Sequence, residues 1–303
     1  MILVTGVSGG LGGLILRGLS GIEGLDVVGG TRSGDGRTAR RVDFDDPGSL
    51  PGAFDGVDVL VLVSAGYAED DVVFARHGAV ADAAAEAGVR HVVYTSLASS
   101  GESMTIAVPH RWTEDRLAAG PFSTTILRNG LYTGIPLGLA TAGAAEALAT
   151  GVFKAPFGDG RVSVVAREDL ADVAVRVAAE SQSDLRAAAA SRHAGRVYEL
   201  EGDSAVGGAE IAEALTAALG RPVGYQPASL AETRAALNGS GLEPYRIAHA
   251  ISLFSNVIAG RAEARSSDLA ALLPAPARPV RASIEAAIEA GGYRAQSEAT
   301  GRR

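Results

Sequence analysis

Seven residues near the start of the chain form a glycine-rich loop that is suited to holding phosphate groups. They follow the apolar run Ile2-Leu3-Val4 and are Gly6, Val7, Ser8, Gly9, Gly10, Leu11 and Gly12. Glycines allow a tight turn and close approach of the backbone, and the following helix offers free N–H groups and a positive dipole end to a pyrophosphate. With 39 glycines in 303 residues, the spacing alone arises by chance about 0.6 times. Its position between an apolar run and an apolar helix therefore carries the prediction of a dinucleotide site, with a plain turn as the alternative.

Arg32 stands where the chain leaves its second apolar run, at the position that distinguishes two nicotinamide dinucleotides. An acidic residue there binds the ribose hydroxyl of NAD, whereas an arginine binds the 2′-phosphate of NADP. The local sequence is Gly30-Thr31-Arg32, without a carboxylate, and a guanidinium makes charge-assisted hydrogen bonds to phosphate. We therefore predict NADPH as the cofactor, with a solvent-exposed arginine as the alternative interpretation.

The elements that would position this loop alternate along the first half of the chain. Apolar runs at 2–4, 26–28, 41–42, 59–63, 91–94 and 125–127 are separated by stretches of helical pattern, including 11–19, 74–87 and 111–119. This order is typical of βαβ units with a parallel sheet. The run 59–63 is apolar throughout, as expected of a central strand covered on both faces. The predicted fold class is α/β, a Rossmann-type doubly wound parallel sheet with a smaller C-terminal substrate lobe.

A change of pattern after Gly130 suggests a division of the chain. Residues 1–133 are predicted to form the NAD(P)-binding core, with the strand and helix at 162–180 returning to it. Residues 134–295, including a short strand at 197–200, form the substrate-facing lobe, and 296–303 form a tail. The segment around Phe153, Pro156 and Phe157 is apolar, which favours a flat, hydrophobic substrate.

Composition excludes several other kinds of protein. The chain has no Cys, and its five His residues lack metal-ligand spacing, so we expect no thiol chemistry and no metal. The net charge of -8 argues against a nucleic-acid partner. The longest uncharged run, 130–145, is shorter than the ~20 residues that span a bilayer. We expect no membrane partner and a cytoplasmic location.

Motifs beyond the glycine loop carry a resemblance to a known family. They are Val4-Thr5-Gly6-Val7-Ser8-Gly9, Arg32, Asp43-Phe44, Val63-Ser64-Ala65, Tyr94-Thr95-Ser96-Leu97, Leu127-Arg128-Asn129-Gly130-Leu131-Tyr132 and Val197-Tyr198-Glu199-Leu200-Glu201-Gly202-Asp203-Ser204. On these motifs the chain resembles the NmrA-like atypical short-chain dehydrogenases/reductases, and most closely their type 2 NAD(P)H quinone oxidoreductases. The resemblance extends from Met1 to about Pro227.

The resemblance implies places for several side chains around a bound nucleotide. Asp43 and Phe44 would lie beside the adenine, and Val63, Ser64 and Ala65 would pass under the adenosine ribose. The nicotinamide end would be lined by Tyr94, Thr95 and Ser96, and the substrate pocket would be bordered by Asn129, Gly130 and Tyr132. Val63 could instead be a core strand residue, and Asp43 could cap the helix after Pro47.

The catalytic pair of many short-chain dehydrogenases, Tyr-x-x-x-Lys, is missing. The only lysine is Lys154, and the residue four positions earlier is Thr150. Related quinone reductases also lack the pair but carry His followed by Thr-Glu-Lys, whereas here His110 is followed by Thr113-Glu114-Asp115. The candidate catalytic residues are therefore His110, Tyr132 and Asn129, with a structural or solvated role as the alternative for His110.

The missing pair bears on the kind of acceptor. Hydride addition to an alkyl ketone gives a strongly basic alkoxide that needs a proton donor, whereas a quinone gives a phenolate-like product with a pKa of ~10. We predict an enzyme that transfers hydride from NADPH to a quinone or a similar flat aromatic acceptor. The alternative is a non-catalytic NADP(H)-sensing regulatory protein of the NmrA type, which would act on a partner protein. Reduction of an aromatic or imine-like compound is a third interpretation.

Overall fold

The computed structural model describes residues 1–35, 39–64 and 68–291. The strands are β1 (Ile2–Val4), β2 (Val27–Thr31), β3 (Ala39–Arg41), β4 (Val59–Val63), β5 (His91–Leu97), β6 (Ser123–Asn129), β7 (Leu131–Tyr132), β8 (Val152–Ala155), β9 (Arg161–Val165), β10 (Arg196–Leu200), β11 (Ala205–Gly207) and β12 (Gly224–Pro227). The helices are α1 (Gly10–Ser20), α2 (Leu50–Ala53), α3 (Asp70–Glu86), α4 (Ala107–Ala118), α5 (Gly134–Thr150), α6 (Arg167–Arg186), α7 (Gly208–Leu219), α8 (Leu230–Asn238), α9 (Pro244–Ile258), α10 (Leu269–Leu272) and α11 (Val280–Ala290).

Seven of these strands form one parallel sheet in the order β10-β6-β5-β4-β1-β2-β3. The first four residues of β4 are fully buried because helices cover both faces of the sheet, which is why an unbroken apolar run is stable there. The strand order reverses between β1 and β4, and ligands of such sheets bind at the carboxyl ends of the strands beside this point. The predicted Rossmann-type α/β class is confirmed.

Helices α1 and α6 pack on one face of the sheet, and α3 and α4 pack on the other. On the first face Ile15 and Leu19 of α1 share a core with Val173 and Val177 of α6. The two helices approach closely at Gly18, where a Cβ atom would lie 2.6 Å from Val175 Cγ2. This contact fixes the start of α6 beside the start of α1.

A second core lies in the C-terminal part of the chain. Phe153, Phe157, Ile211, Leu215 and Ile284 are buried there between α5, α7, α11 and the short strands. Strand β9 pairs with β7 and β11 in a three-stranded sheet, and β8 pairs with β12.

Two elements differ from their predicted places. The strand at 197–200, which the sequence suggested for the lobe, is β10 and pairs with β6 at the edge of the large sheet. The segment 162–180 divides, because its helix packs on the large sheet while its strand β9 joins the small one. The boundary near residue 133 stays a prediction, and the proposed tail at 296–303 lies outside the described residues. Across those that are described, no helix has the length and apolarity to cross a membrane.

Candidate active site

The glycine loop connects β1 to α1 and leaves backbone donors free. Gly6 has a φ of +63°, a conformation that favours glycine, and its carbonyl accepts a hydrogen bond from Gly9 N–H at 2.9 Å. Helix α1 has Gly9 as its N-cap and no side-chain cap. In the described chain the N–H groups of Gly10, Leu11 and Gly12 donate no hydrogen bond, so they are available to an anion at the helix N-terminus.

The loop also has no room for side chains. A Cβ atom at Gly12 would lie 2.7 Å from Gly6 C and 2.8 Å from Thr5 O, and one at Gly9 would lie 3.2 Å from Gly6 O. These neighbours are backbone atoms held by strand hydrogen bonds such as Thr5 N–H to Val61 O. The cradle and its free donors therefore fit a dinucleotide pyrophosphate.

Arg32 lies directly after β2, beside the loop. Val7 N–H donates to Gly30 O at 3.4 Å, so the loop is attached to the end of the strand that carries Arg32. The Arg32 side chain is exposed and forms no salt bridge or hydrogen bond with any residue that the structure describes. The Asp45 carboxylate is near enough for the Arg32 charge to help lower its pKa, after the hydrogen bond and charge of Arg76. Because Asp45 is hydrogen-bonded to Arg76, a 2′-phosphate could approach Arg32 without breaking an ion pair.

The predicted adenine-side residues lie after β3. Asp43 accepts from Asp45 N–H and faces Arg41 at 3.6 Å, and its own N–H donates to Ser49 Oγ at 3.0 Å. Asp43 does not cap a helix, because the N-cap before Pro47 is Asp46. Phe44 is half-buried and meets the His77 ring edge-on at 6.4 Å.

A cavity of about 450 Å³ opens beside the loop at the carboxyl ends of the strands. The predicted residues that line it are Leu11, Val63, Ser64, Tyr94, Thr95, Ser96, His110, Asn129 and Tyr132. Its wall is mainly apolar, with Leu97, Ile106, Leu131 and Ile135 among the contributors, and no described residue of the lining is acidic. Ala65 lies outside the described residues, and the other predicted cofactor residues lie on the glycine loop and after β2 and β3, outside the lining of the cavity.

Phe153 and Phe157 do not form this wall, contrary to the expectation from their apolar segment. They are 1% and 0% exposed in the core of the lobe. The lobe instead reaches the cavity through Ile135 of α5 and His249 of α9. The pocket is hydrophobic through residues of the predicted motifs, such as Leu97 and Leu131, and through Ile106 and Ile135, which the sequence did not single out.

Tyr94 and His110 form a hydrogen-bonded pair at the cavity floor. The Tyr94 oxygen lies 2.9 Å from His110 Nδ1. Burial raises the pKa of the Tyr94 phenol, and burial together with the Arg111 charge lowers the pKa of His110 to about 4. At neutral pH the phenol therefore keeps its proton and the imidazole is uncharged. The pair can hold or relay a proton but does not supply a strong acid.

His77 lies behind this pair in an uncharged state. Burial lowers its pKa to about 3, and Nδ1 is 2.7 Å from Thr113 Oγ1. Because the Thr113 hydroxyl donates to Pro109 O at 2.7 Å, His77 Nδ1 carries the hydrogen in this contact. The ring packs edge-on against Tyr94 at 5.8 Å and supports the position of the phenol.

Glu114 connects the cavity floor to a network of charges. It accepts from Ser96 Oγ at 2.5 Å, from Arg111 at 2.7 Å and from Arg128 at 2.7 Å. Burial would raise the pKa of Glu114, but the hydrogen bonds from Arg128 and Ser96 outweigh it, so the pKa is lowered and the carboxylate is ionised. The next residue, Asp115, is exposed on α4. The position where related quinone reductases carry lysine therefore faces solvent in this chain.

Asn129 ends β6 with an unsatisfied buried oxygen. The side chain is 5% exposed and lines the cavity, and Oδ1 has no hydrogen-bond partner in the part of the chain that is described. A buried acceptor without a partner is costly unless a ligand satisfies it. Its place at the inner end of the cavity fits an amide or hydroxyl donor of a bound molecule.

Besides His77, which also lines the cavity, Arg167 and His249 were missed by sequence reasoning. Arg167 begins α6, and its Cζ atom lies 5.2 Å from the Tyr132 ring centroid. His249 of α9 shares a hydrogen bond of 2.7 Å between its Nδ1 and Thr105 Oγ1. Both line the cavity. A signal existed for Arg167, because residues at the start of a helix that follows a strand often face the ligand edge of an α/β fold. No local pattern marks His249.

Comparisons with known proteins agree with this geometry. The NAD(P)H-binding family matches residues 6–181. Quinone oxidoreductase 2 of Escherichia coli K12 is 35% identical over 252 residues, which cover 80% of this chain and 82% of that protein. An NAD(P)H azoreductase of Xenophilus azovorans is 29% identical over 69% of this chain and 68% of its own length.

Solved structures share the fold over nearly the whole chain. The triphenylmethane reductase of Citrobacter sp., complexed with NADP(H), superposes with a TM-score of 0.81 at 27% identity, covering 94% of this chain and 99% of that one. The NADPH-dependent quinone oxidoreductase of Escherichia coli, complexed with NADPH, gives a TM-score of 0.80 at 32% identity with the same coverage.

Proposed function

The chain belongs to the NAD(P)H-binding family, as an NAD(P)H-dependent oxidoreductase, and from this premise we propose that it transfers hydride from NADPH to a quinone or a similar flat aromatic acceptor. One observation carries the proposal. The free amides of the glycine loop and the predicted residues of β5 and β6 meet at a single apolar cavity with no acidic residue in its described lining. A cavity of this kind suits an uncharged planar ring next to a nicotinamide.

Different residues bind different parts of the cofactor. We assign the pyrophosphate to the N–H groups of Gly10, Leu11 and Gly12, and the 2′-phosphate to Arg32. Asn129 Oδ1 accepts from the amide end of the nicotinamide or from the acceptor. The bound cofactor supplies the hydride, and the apolar wall excludes water from the space between donor and acceptor.

Protonation of the product makes a modest demand on this site. A hydroquinone anion has a phenol-like pKa of ~10, so it can take its proton from water, and a weak hydrogen-bond donor is sufficient to hold the anion until then. We assign this role to His110, whose Nδ1 is held by Tyr94 at 2.9 Å and whose other ring nitrogen can then donate as the neutral tautomer. Tyr132 borders the acceptor, and its ring is packed against Arg167.

The test is NADPH oxidation with and without a quinone, followed by the loss of nicotinamide absorbance. An azo dye and a triphenylmethane dye are run in parallel, because similar proteins reduce such compounds. A quinone-dependent rate above both dyes supports the proposal. Tight NADPH binding without oxidation by any of the three acceptors would remove it.

A second candidate is an NADP(H) sensor that regulates a partner protein. It is favoured by the low pKa of His110, about 4, and by exposed Asp115 in place of a lysine, which leave the described cavity without a strong proton donor. A sensor must discriminate between oxidised and reduced cofactor. Calorimetric titration with NADP⁺ and NADPH therefore tests it, and equal affinities together with rapid quinone reduction would exclude it.

A further inference from the structure

Arg167 places a second positive charge at the glycine loop, beside Gly10. A Cβ atom at Gly10 would lie 2.8 Å from Arg167 Nη1 and 3.2 Å from its Cδ and Cζ atoms. The guanidinium therefore covers the first residue of α1, whose N–H is among the free donors of the loop. Helix α6 brings it there, because α6 begins at Arg167 and packs along α1.

The guanidinium is charged but has no hydrogen-bond or ion-pair partner among the described residues. It makes no salt bridge or hydrogen bond with any residue in the described ranges, although acidic residues follow it along α6. The nearest buried one, Asp169, is engaged by Arg278. Arg167 is exposed and lines the cavity, so an anionic ligand there could reach its guanidinium without breaking an ion pair.

The Tyr132 ring lies beside the guanidinium of Arg167 and ties it to the cavity. Arg167 Cζ lies 5.2 Å from the centre of the Tyr132 ring, within the range of a cation–π contact. Arg167 forms no hydrogen bond with any described residue, so its N–H groups stay available. Such a planar fork suits two oxygens of one phosphate.

We propose that Arg167 closes over the pyrophosphate held by the loop and forms the second cationic contact of the cofactor site. The proposal rests on the proposed NADPH function. It explains why the loop has glycine at position 10 as well as at 9 and 12: a side chain at Gly10 would displace the guanidinium, whereas one at Gly12 would collide with the loop backbone. Because the same arginine contacts Tyr132, cofactor binding and the substrate pocket share a residue.

The experiment compares the affinities of NADP⁺ and NAD⁺ by calorimetry for the wild type, Arg167→Met, Arg167→Lys and Arg32→Ala. Both nucleotides contain the pyrophosphate, so Arg167→Met should weaken both by the same factor, about tenfold or more. Arg167→Lys should recover part of the loss, because lysine keeps the charge but not the fork. Arg32→Ala, in contrast, should change the ratio between the two nucleotides.

Arg186→Met is the matched control. Arg186 ends the same helix, about 28 Å from Arg167 by helix rise, and its guanidinium contacts Gly24 O. The control makes the same change of charge and should leave both affinities unaltered. Gly10→Ala should reproduce the loss seen in Arg167→Met, and the double variant should bind no more weakly than either single variant.

Three results would overturn the proposal. The first is wild-type affinity for both nucleotides in Arg167→Met. If the affinities are unchanged and only the turnover of a negatively charged, sulfonated acceptor falls, the arginine binds the substrate and not the pyrophosphate. The second is a change in the NADP⁺ to NAD⁺ ratio, which would assign Arg167 to the 2′-phosphate. The third is full additivity of Gly10→Ala and Arg167→Met. A wild type that binds neither nucleotide would instead refute the proposed function.

Discussion

Replacing Gly12 by alanine tests whether the bend between β1 and α1 holds the pyrophosphate. The added Cβ would lie 2.8 Å from Thr5 O and 2.7 Å from Gly6 C, whereas ordinary contacts begin at 3.4 Å. The nearest atom to the added Cβ is Gly6 O, which is closer than either of these two. The loop must therefore open by more than about 0.7 Å, a distance that takes N–H donors out of the narrow range of hydrogen-bond lengths. Thr5 cannot yield easily, because its N–H is bonded to Val61 O in the central sheet.

We expect Gly12→Ala to raise the dissociation constant of NADP⁺ at least about tenfold, equivalent to about 1.4 kcal/mol. The crowded backbone should also lower the free energy of unfolding by about 1–3 kcal/mol. Calorimetric titration measures the first effect, and urea unfolding measures the second. A folded Gly12→Ala protein that binds NADP⁺ like the wild type would refute the placement of the pyrophosphate at this bend.

Gly138→Ala is the control for the same chemical change. Gly138 lies within α5, is exposed, and has no atom within 4 Å of an added Cβ. Alanine there should raise the free energy of unfolding by about 0.5–1 kcal/mol through helix propensity. Its nucleotide affinity should match that of the wild type.

Three further predictions follow from individual side chains. Arg32→Ala should weaken NADPH binding by about 1.5–3 kcal/mol while leaving NADH binding nearly unchanged, which titration with both nucleotides measures; an equal loss for both would contradict the assignment. Asn129→Leu removes an acceptor that has no partner among the described residues. The free energy of unfolding, measured in urea, should therefore change by less than about 1 kcal/mol, while NADPH or quinone binding weakens. A larger loss of stability without a binding defect would assign Asn129 to the fold. His77, His91 and His110 have folded pKa values of about 3, 4 and 4 against 6.5 when unperturbed, so the unfolded chain binds more protons. Stability should be fully present above pH 6.5 and fall towards about pH 4, by at most about 1.4 kcal/mol per pH unit for each histidine, and urea midpoints that rise on acidification would show the sign to be wrong.

Much of the core was predictable because its signals are local. The apolar run of β4 needs cover on both faces wherever it lies, and the glycine loop must follow a strand and start a helix to have any use. Strand lengths were underestimated: β5 continues to Leu97 and β6 to Asn129. Polar residues follow the apolar runs, Thr95 and Ser96 in β5 and Arg128 and Asn129 in β6, and a search for apolar runs stops before them.

The lobe was less predictable because burial there depends on partners distant in sequence. Phe153 and Phe157 pack against α7, α9 and α11 rather than facing the cavity, and nothing in their neighbourhood distinguishes a core aromatic from a pocket aromatic. The strand β10 follows a long helix and looks like part of the lobe. It pairs instead with β6, because the open edge of the large sheet offers unpaired backbone groups.

The sequence by itself determined the fold class, and it placed a glycine loop after β1 and a cation after β2, since each depends on residues adjacent in the chain. Only the tertiary structure decided which charged and polar groups meet at the cavity. Arg167 reaches the loop because α6 packs along α1, and Glu114 rather than Asp115 turns inward because of the rotation of α4. Neither fact is encoded within a few residues, because the direction of a side chain depends on how its helix is docked.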